Sequence, residues 1–161
     1  MNRPSWDEYF MEITKLTSNR SNCIRKNVGC IIVKDTRILS LGYNGTPRGI
    51  TNCYEGGCHR CNTVTKSGNS LDLCICLHAE ENAILFLGTS KTHNATLYTT
   101  LLPCIACTKK IIQSGISRVV YLDSYREELD NISLKLMRNI GISIEQFSDI
   151  MLFQYVKSNT K

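Results

Sequence analysis

The sequence predicts an α/β fold in which one central sheet carries helices on both faces. Three observations lead there. In the second half of the chain, β-branched apolar runs alternate with stretches of helical period, and strand–helix–strand units of this kind set parallel strands side by side. Earlier, Val28-Gly29-Cys30-Ile31-Ile32-Val33 and Arg37-Ile38-Leu39-Ser40-Leu41 flank the polar Lys34-Asp35-Thr36 and read as a β-hairpin. The length of 161 residues with 42% hydrophobic content supports one core rather than two. Residues 1–150 are therefore expected to form a single domain, with 151–161 as a tail that loses its pattern after Tyr155.

The remaining elements follow in order. Ser5 with Glu8 three residues on makes a capping box, and Tyr9, Phe10, Ile13 and Leu16 recur at helical spacing, so a first helix runs to about Ser18. Asn44-Gly45 and Pro47 close the hairpin region. From Gly45 to Leu73 almost nothing apolar appears, and so long a loop needs something other than a hydrocarbon core to order it. A helix over His78–Leu87 is stopped by Gly88, and Ala95–Thr99 reads as a strand. Pro103 pre-sets the first turn of a helix from Cys104 to about Ser114, ended by Gly115. Arg118–Leu122 is the next strand. Leu129, Ile132, Leu136 and Ile140 mark the apolar face of a last helix ended by Gly141, before a final strand over Ile142–Phe147.

Composition narrows the chemistry. A net charge of +5, scattered rather than gathered into an arm, suits steering of a small phosphate-bearing substrate better than grip on a nucleic acid. There is no secretory h-region and no run long enough for a membrane span, so a soluble protein of the cytoplasm, or of the host cytoplasm if viral, with no membrane partner is expected. Nine cysteines, an odd number without an export signal, argue for metal ligation over disulfides. Cys30, mid-strand beside Ile31, reads instead as a small buried hydrophobe.

Two short motifs carry the site. His78-Ala79-Glu80 opens one helix and Pro103-Cys104-Ile105-Ala106-Cys107 opens another. Cys104 and Cys107, three apart at a helical N-terminus, put both sulfurs on one face, and the positive end of the helix favours their thiolates. With His78 they offer three zinc ligands and leave a fourth position open, as in catalytic rather than structural sites. Glu80, two residues beyond His78, reaches that open position without having to ligate and is the natural proton shuttle. Glu81 points about a quarter of a turn away, and no chemistry is assigned to it. Either motif alone is common; H-x-E followed by P-C-x-x-C is the signature of zinc-dependent nucleobase deaminases.

The sequence resembles the deoxycytidylate (dCMP) deaminases of the cytidine deaminase-like superfamily, particularly the fungal and phage types. The likeness runs from Ser5-Trp6-Asp7-Glu8-Tyr9-Phe10-Met11 through Val28–Val33, Gly42-Tyr43-Asn44-Gly45-Thr46-Pro47 and His78-Ala79-Glu80-Glu81-Asn82-Ala83 to Pro103–Cys107, Gln113-Ser114-Gly115-Ile116, Tyr121 and Tyr125. It implies a three-layer α/β/α fold on a mixed five-stranded sheet, a homohexamer, and zinc-dependent conversion of dCMP to dUMP on the route to thymidylate. It also implies activation by dCTP with Mg2+ and inhibition by dTTP. Some viral relatives accept dCTP as a substrate as well. Gly42-Tyr43-Asn44-Gly45 resembles the family's nucleotide-contacting turn, with Asn44 meeting the sugar, and Arg25 and Tyr125 fall where the family binds the 5′-phosphate.

Phage and bacterial members carry a second zinc that ties the loop after the hairpin to the first helix. The resemblance places Cys23 and Cys53 in that site and favours Cys58 and Cys74 as the other pair. Cys61 and Cys76 are alternates, and His59 offers a further donor. Such an ion would supply the ordering energy that the polar loop lacks. Competing functions are a tRNA adenosine deaminase, which shares both zinc motifs but needs a surface for folded RNA, and a zinc-stabilised binding module. A free-nucleoside cytidine deaminase typically has cysteine where His78 stands. The Gly42–Gly45 turn and Tyr125 favour a mononucleotide, and a purely structural metal site has no use for Glu80.

Overall fold

A computed structural model describes residues 3–63, 70–124 and 127–148. Tyr125 and the tail 151–161 lie outside the described residues. Helix α1 (Trp6–Ser18) begins as the sequence predicts: Ser5 Oγ accepts the Glu8 N–H at 3.2 Å while Glu8 Oε2 accepts the Ser5 N–H at 2.6 Å. Strands β1 (Gly29–Lys34) and β2 (Arg37–Tyr43) form the hairpin. Asp35 and Thr36 take positive φ of 49° and 58°, the pair of left-handed residues that a two-residue turn needs to match strand twist.

The short α2 (His59–Thr63) lies in the cysteine-rich loop, and α3 (Ala79–Leu87) follows. Then β3 (Thr96–Leu101), α4 (Ile105–Gln113), β4 (Arg118–Asp123), α5 (Glu127–Asn139) and β5 (Ser143–Gln146) alternate. The sheet order is β2-β1-β3-β4-β5, with β1 antiparallel to β2 and β3, and β3, β4 and β5 parallel. This is the expected mixed five-stranded sheet, its parallel half made by the two right-half strand–helix–strand units.

Strand alternation splits the core in two. Cys30, Ile32, Leu97 and Val119 pack with Ala79, Ala83, Ile84, Ile111 and Met137 of α3, α4 and α5. Ile31, Val33, Tyr98 and Val120 pack on the opposite face with Phe10 and Met11 of α1. Both helical faces nearest the chain ends differ from the sequence expectation. In α1 the buried positions are Phe10, Met11 and Thr14, while Tyr9 and Leu16 are exposed. In α5 the buried side chains among those described are Ser133 and Met137, and Leu129, Ile132 and Leu136, with Ile140 just past its end, face outward. Helix α5 lies against α4 and β5, with Ser133 and Met137 fully buried. No helix among the described residues is long and apolar enough to cross a membrane, and all nine cysteines are free thiols.

A charged network locks α1 to the parallel half of the sheet. Arg118 donates to both Asp7 oxygens at 2.8 Å and to Glu145 at 3.0 and 2.9 Å, and Tyr98 Oη donates to Asp7 at 2.5 Å. The Arg118 hydrogen bonds hold the Asp7 and Glu145 carboxyls below the ordinary range. Carboxylates lowered by folding add stability above the unfolded value near pH 4, and lose it as pH falls through their lower folded values. Asp7→Asn is therefore expected to lower stability by about 1 kcal/mol at pH 7, the pair being partly exposed. The gap to wild type closes below about pH 4. Urea unfolding at pH 7 and pH 3 checks this, and an equal deficit at both would contradict it.

Candidate metal centre and the groups around it

Two helix starts meet at one point. His78 is the N-cap of α3 and Cys104 the N-cap of α4, each in extended conformation, with Cys107 in the first turn of α4. The His78 Nδ1 atom lies 3.4 Å from Cys104 Sγ and 3.4 Å from Cys107 Sγ. Tetrahedral zinc with ordinary Zn–N and Zn–S lengths separates such donors by about 3.6 Å. The three ligand atoms all fall within 4.8 Å of one another, so distance and donor type both fit zinc, with His78 and Cys104 on the open side and Cys107 buried.

The electrostatics are prepared for a cation. Hydrogen bonding from Cys107, and then from His78, pushes the Cys104 thiol down to about 3 against its burial. The same Cys104 contact raises His78 to about 9. The first thiolate is thus set by its neighbours and by the N-terminal end of α4. Glu80, in the first turn of α3, is only 4% exposed, and burial pushes its carboxyl above the ordinary range. Behind it Cys30 is fully buried, its thiol raised first by burial and further by the Glu80 charge, so it stays protonated and serves as core.

Several contacts position these groups. The Gly45 N–H donates to Leu77 C=O at 3.2 Å and the Leu77 N–H returns to Gly45 C=O at 2.8 Å, which anchors the residue just before His78 to the turn after β2. A Cβ on Gly42 would sit 2.1 Å from the Ala79 carbonyl oxygen and 2.6 Å from the Ala83 nitrogen, so only glycine lets α3 lie this close to β2. Ser40 Oγ donates to Ala83 C=O at 2.8 Å, and Asn82 Nδ2 to Tyr43 C=O at 2.7 Å. Glu81 has a structural use after all: it pairs with Lys110 and ties α3 to α4. Neither this pair nor Ser40 carries any local sequence signal, since each depends on which helix ends up beside it.

The other predicted residues fall in three places. Asn44 turns its side chain to the backbone, with Nδ2 donating to Lys26 C=O and Oδ1 accepting the Val28 N–H, both at 2.8 Å. Arg25 Nε donates to Cys61 C=O at 2.7 Å, which sets its guanidinium beside the cysteine-rich loop. Gly42, Tyr43 and Gly45 line a cleft of about 730 Å³ together with Arg48, Leu85 and Phe86. Asn22, with no sequence signal, brackets that region: it accepts the Thr46 N–H at 3.1 Å and donates to Asn52 Oδ1 at 2.8 Å.

The cysteines of the loop converge as well. Cys23, Cys53, Cys61 and Cys76 form one group whose sulfurs all lie within 4.8 Å, and Cys58, Cys61, Cys74 and Cys76 form another. In neither do Cys23 and Cys53 share a quartet with Cys58 and Cys74, while Cys61 and Cys76 belong to both. His59 belongs to none of these groups.

Residues 4–123 match the family described as the cytidine and deoxycytidylate deaminase zinc-binding region. The chain is 52% identical over 147 residues to a deoxycytidylate deaminase of Saccharomyces cerevisiae, covering 91% of this chain and 46% of that protein. It is 42% identical over 126 residues to a deoxycytidylate deaminase of Mycobacterium phage D29, covering 75% and 97%. The crystal structure of dCMP deaminase from cyanophage S-TIM5 in complex with dCMP and dUMP superposes with a TM-score of 0.71 at 33% identity, covering 91% of this chain and all of that one. The chain thus spans less than half the length of its yeast relative and nearly the full length of the phage ones.

Removing one thiolate should empty the centre, whereas neutralising Glu80 should not. Cys107→Ser is expected to lose one equivalent of zinc relative to wild type, and Glu80→Gln to keep it. Plasma mass spectrometry of the purified variants decides this, and loss of zinc from Glu80→Gln would make Glu80 a ligand.

Proposed function

The chain belongs to the cytidine and deoxycytidylate deaminase family, and from that premise we propose that it converts dCMP and water to dUMP and ammonia. The observation that carries the reaction type is the buried carboxyl of Glu80, which hydrogen-bonds with Cys107 and feels the charges of His78 and Cys104 where those three converge. Zinc held by those three residues supplies Lewis-acid activation of water near neutral pH. Glu80 takes the proton from the attacking water and delivers it to ring nitrogen N3 as the oxygen adds to C4. A second proton, passed by Glu80 from the new hydroxyl to the amino group, lets the C4–N bond break and ammonia depart. A carboxyl raised by burial is suited to both halves, because it holds a proton at neutral pH more readily than an exposed one and still releases it.

Choice of dCMP rests on the relatives and on the charge near the site. Arg25 is the residue of this chain that we assign to the 5′-phosphate, with Tyr125 as its companion, since a guanidinium held by Cys61 C=O presents an oriented donor set. Asn44 is assigned to the sugar through the turn that it stabilises. We read the 42–45 turn also as the contact for nucleotide effectors, dCTP with Mg2+ activating and dTTP inhibiting. What supports this is the cleft beside the turn, lined by Arg48. Leu85 and Phe86, 67% and 79% exposed on its wall, support burial of that face between subunits of a homohexamer.

Ammonia release should be faster from dCMP than from deoxycytidine by about tenfold or more in kcat/KM. Arg25→Ala should erase most of that preference. Glu80→Gln should lower kcat by about 10²–10⁴-fold. Coupled ammonia assays with dCMP, dCTP, deoxycytidine and an RNA hairpin side by side check all three, and equal rates on dCMP and deoxycytidine would refute the monophosphate assignment.

A further inference from the structure

We propose that the loop between β2 and α3, with the segment after α1, holds two zinc ions rather than one, in a thiolate cluster bridged by Cys61 and Cys76. The inference does not depend on the deaminase reading. Its ground is the geometry of the sulfurs: Cys23, Cys53, Cys61 and Cys76 make one set of four mutual neighbours, Cys58, Cys61, Cys74 and Cys76 make a second, and the shared pair is common to both. Two tetrahedra that share an edge have this pattern, with the edge supplied by two bridging sulfurs and each ion completed by its own terminal pair. Cys23 and Cys53 are then the terminal ligands of one ion, Cys58 and Cys74 those of the other.

The spacings agree. Cys58 Sγ is 3.9 Å from Cys74 Sγ, and Cys61 Sγ is 3.6 Å from Cys74 Sγ, against about 3.8 Å for sulfurs on one tetrahedral zinc. Backbone amides are already turned toward the terminal sulfurs: those of Arg25 and Lys26 hydrogen-bond Cys23, and those of Cys61 and Ile75 hydrogen-bond Cys58. Such donors orient and stabilise ligand thiolates.

A single ion would use four of these sulfurs and leave two thiols packed beside it with no metal. Cys53, Cys58 and Cys61 are buried and make up the core of this region, with Cys23, Cys74 and Cys76 packed against them. Two ions engage every sulfur. Filling the cluster releases a proton from each of the six thiols and leaves it at a net charge of about −2. Arg60, between Cys58 and Cys61, is only 6% exposed, and Arg25 is fastened to the Cys61 carbonyl, so positive charge is at hand.

The test is metal content and connectivity of the full chain. Wild type purified from zinc-replete cells is expected to carry about three zinc equivalents per chain, and the double variant Cys104→Ser/Cys107→Ser about two. Two equivalents or fewer in wild type overturn the proposal. After exchange with 113Cd, two thiolate-bound resonances are expected, both correlated with the β-protons of Cys61 and of Cys76. Three equivalents without that shared correlation overturn it equally.

Discussion

Helix α3 can rest on β2 only because residue 42 has no side chain, and the site depends on that approach. The Ala79 carbonyl and the Ala83 amide occupy the space where a Cβ would be. With the helix this close, Ser40 reaches Ala83 C=O and Asn82 reaches Tyr43 C=O, so the polar groups left at the contact are satisfied. The same contact fixes the start of α3, and the Gly45–Leu77 bridge sets the residue that leads into it. His78 and Glu80 take their directions from this frame, and the Lys110–Glu81 pair brings α4 with its two cysteines alongside.

Inside that frame, the contacts at the start of α4 oppose burial and win at Cys104. Desolvation alone would keep Cys104 protonated, yet hydrogen bonds from Cys107 and His78 outweigh it. At Glu80 the opposing pull of its own backbone N–H, of His78 and of Cys107 is weaker, and burial dominates its proton affinity. These two groups of one site are therefore driven in opposite directions, one toward an anion that can hold a cation, the other toward a carboxyl that exchanges its proton.

The cysteine-rich loop solves a different problem. The described residues between 45 and 73 bring almost no hydrocarbon to the interior, so apolar burial does little to repay their ordering entropy. Thiols take the place of a core there, and metal ligation is the source of free energy that suits them. Through the Arg25–Cys61 hydrogen bond the same loop also borders the segment to which we assign substrate contacts.

Elements were legible in the sequence wherever the signal is local. The capping box of α1, the hairpin around Asp35-Thr36, the glycine stops and the two short motifs that bear His78 and Cys104 with Cys107 each rest on spacing within a few residues. What exceeded the sequence was long-range. An apolar stripe says that a helix has a greasy side, but packing decides whether it turns inward, and in α5 Ser133 and Met137 are buried while Leu129, Ile132 and Leu136 face outward. Likewise the number of cysteines in and before the loop is a signal of composition alone. Only the tertiary structure sorts them into two quartets joined by Cys61 and Cys76, because partners as far apart in sequence as Cys23 and Cys76 meet through the fold alone.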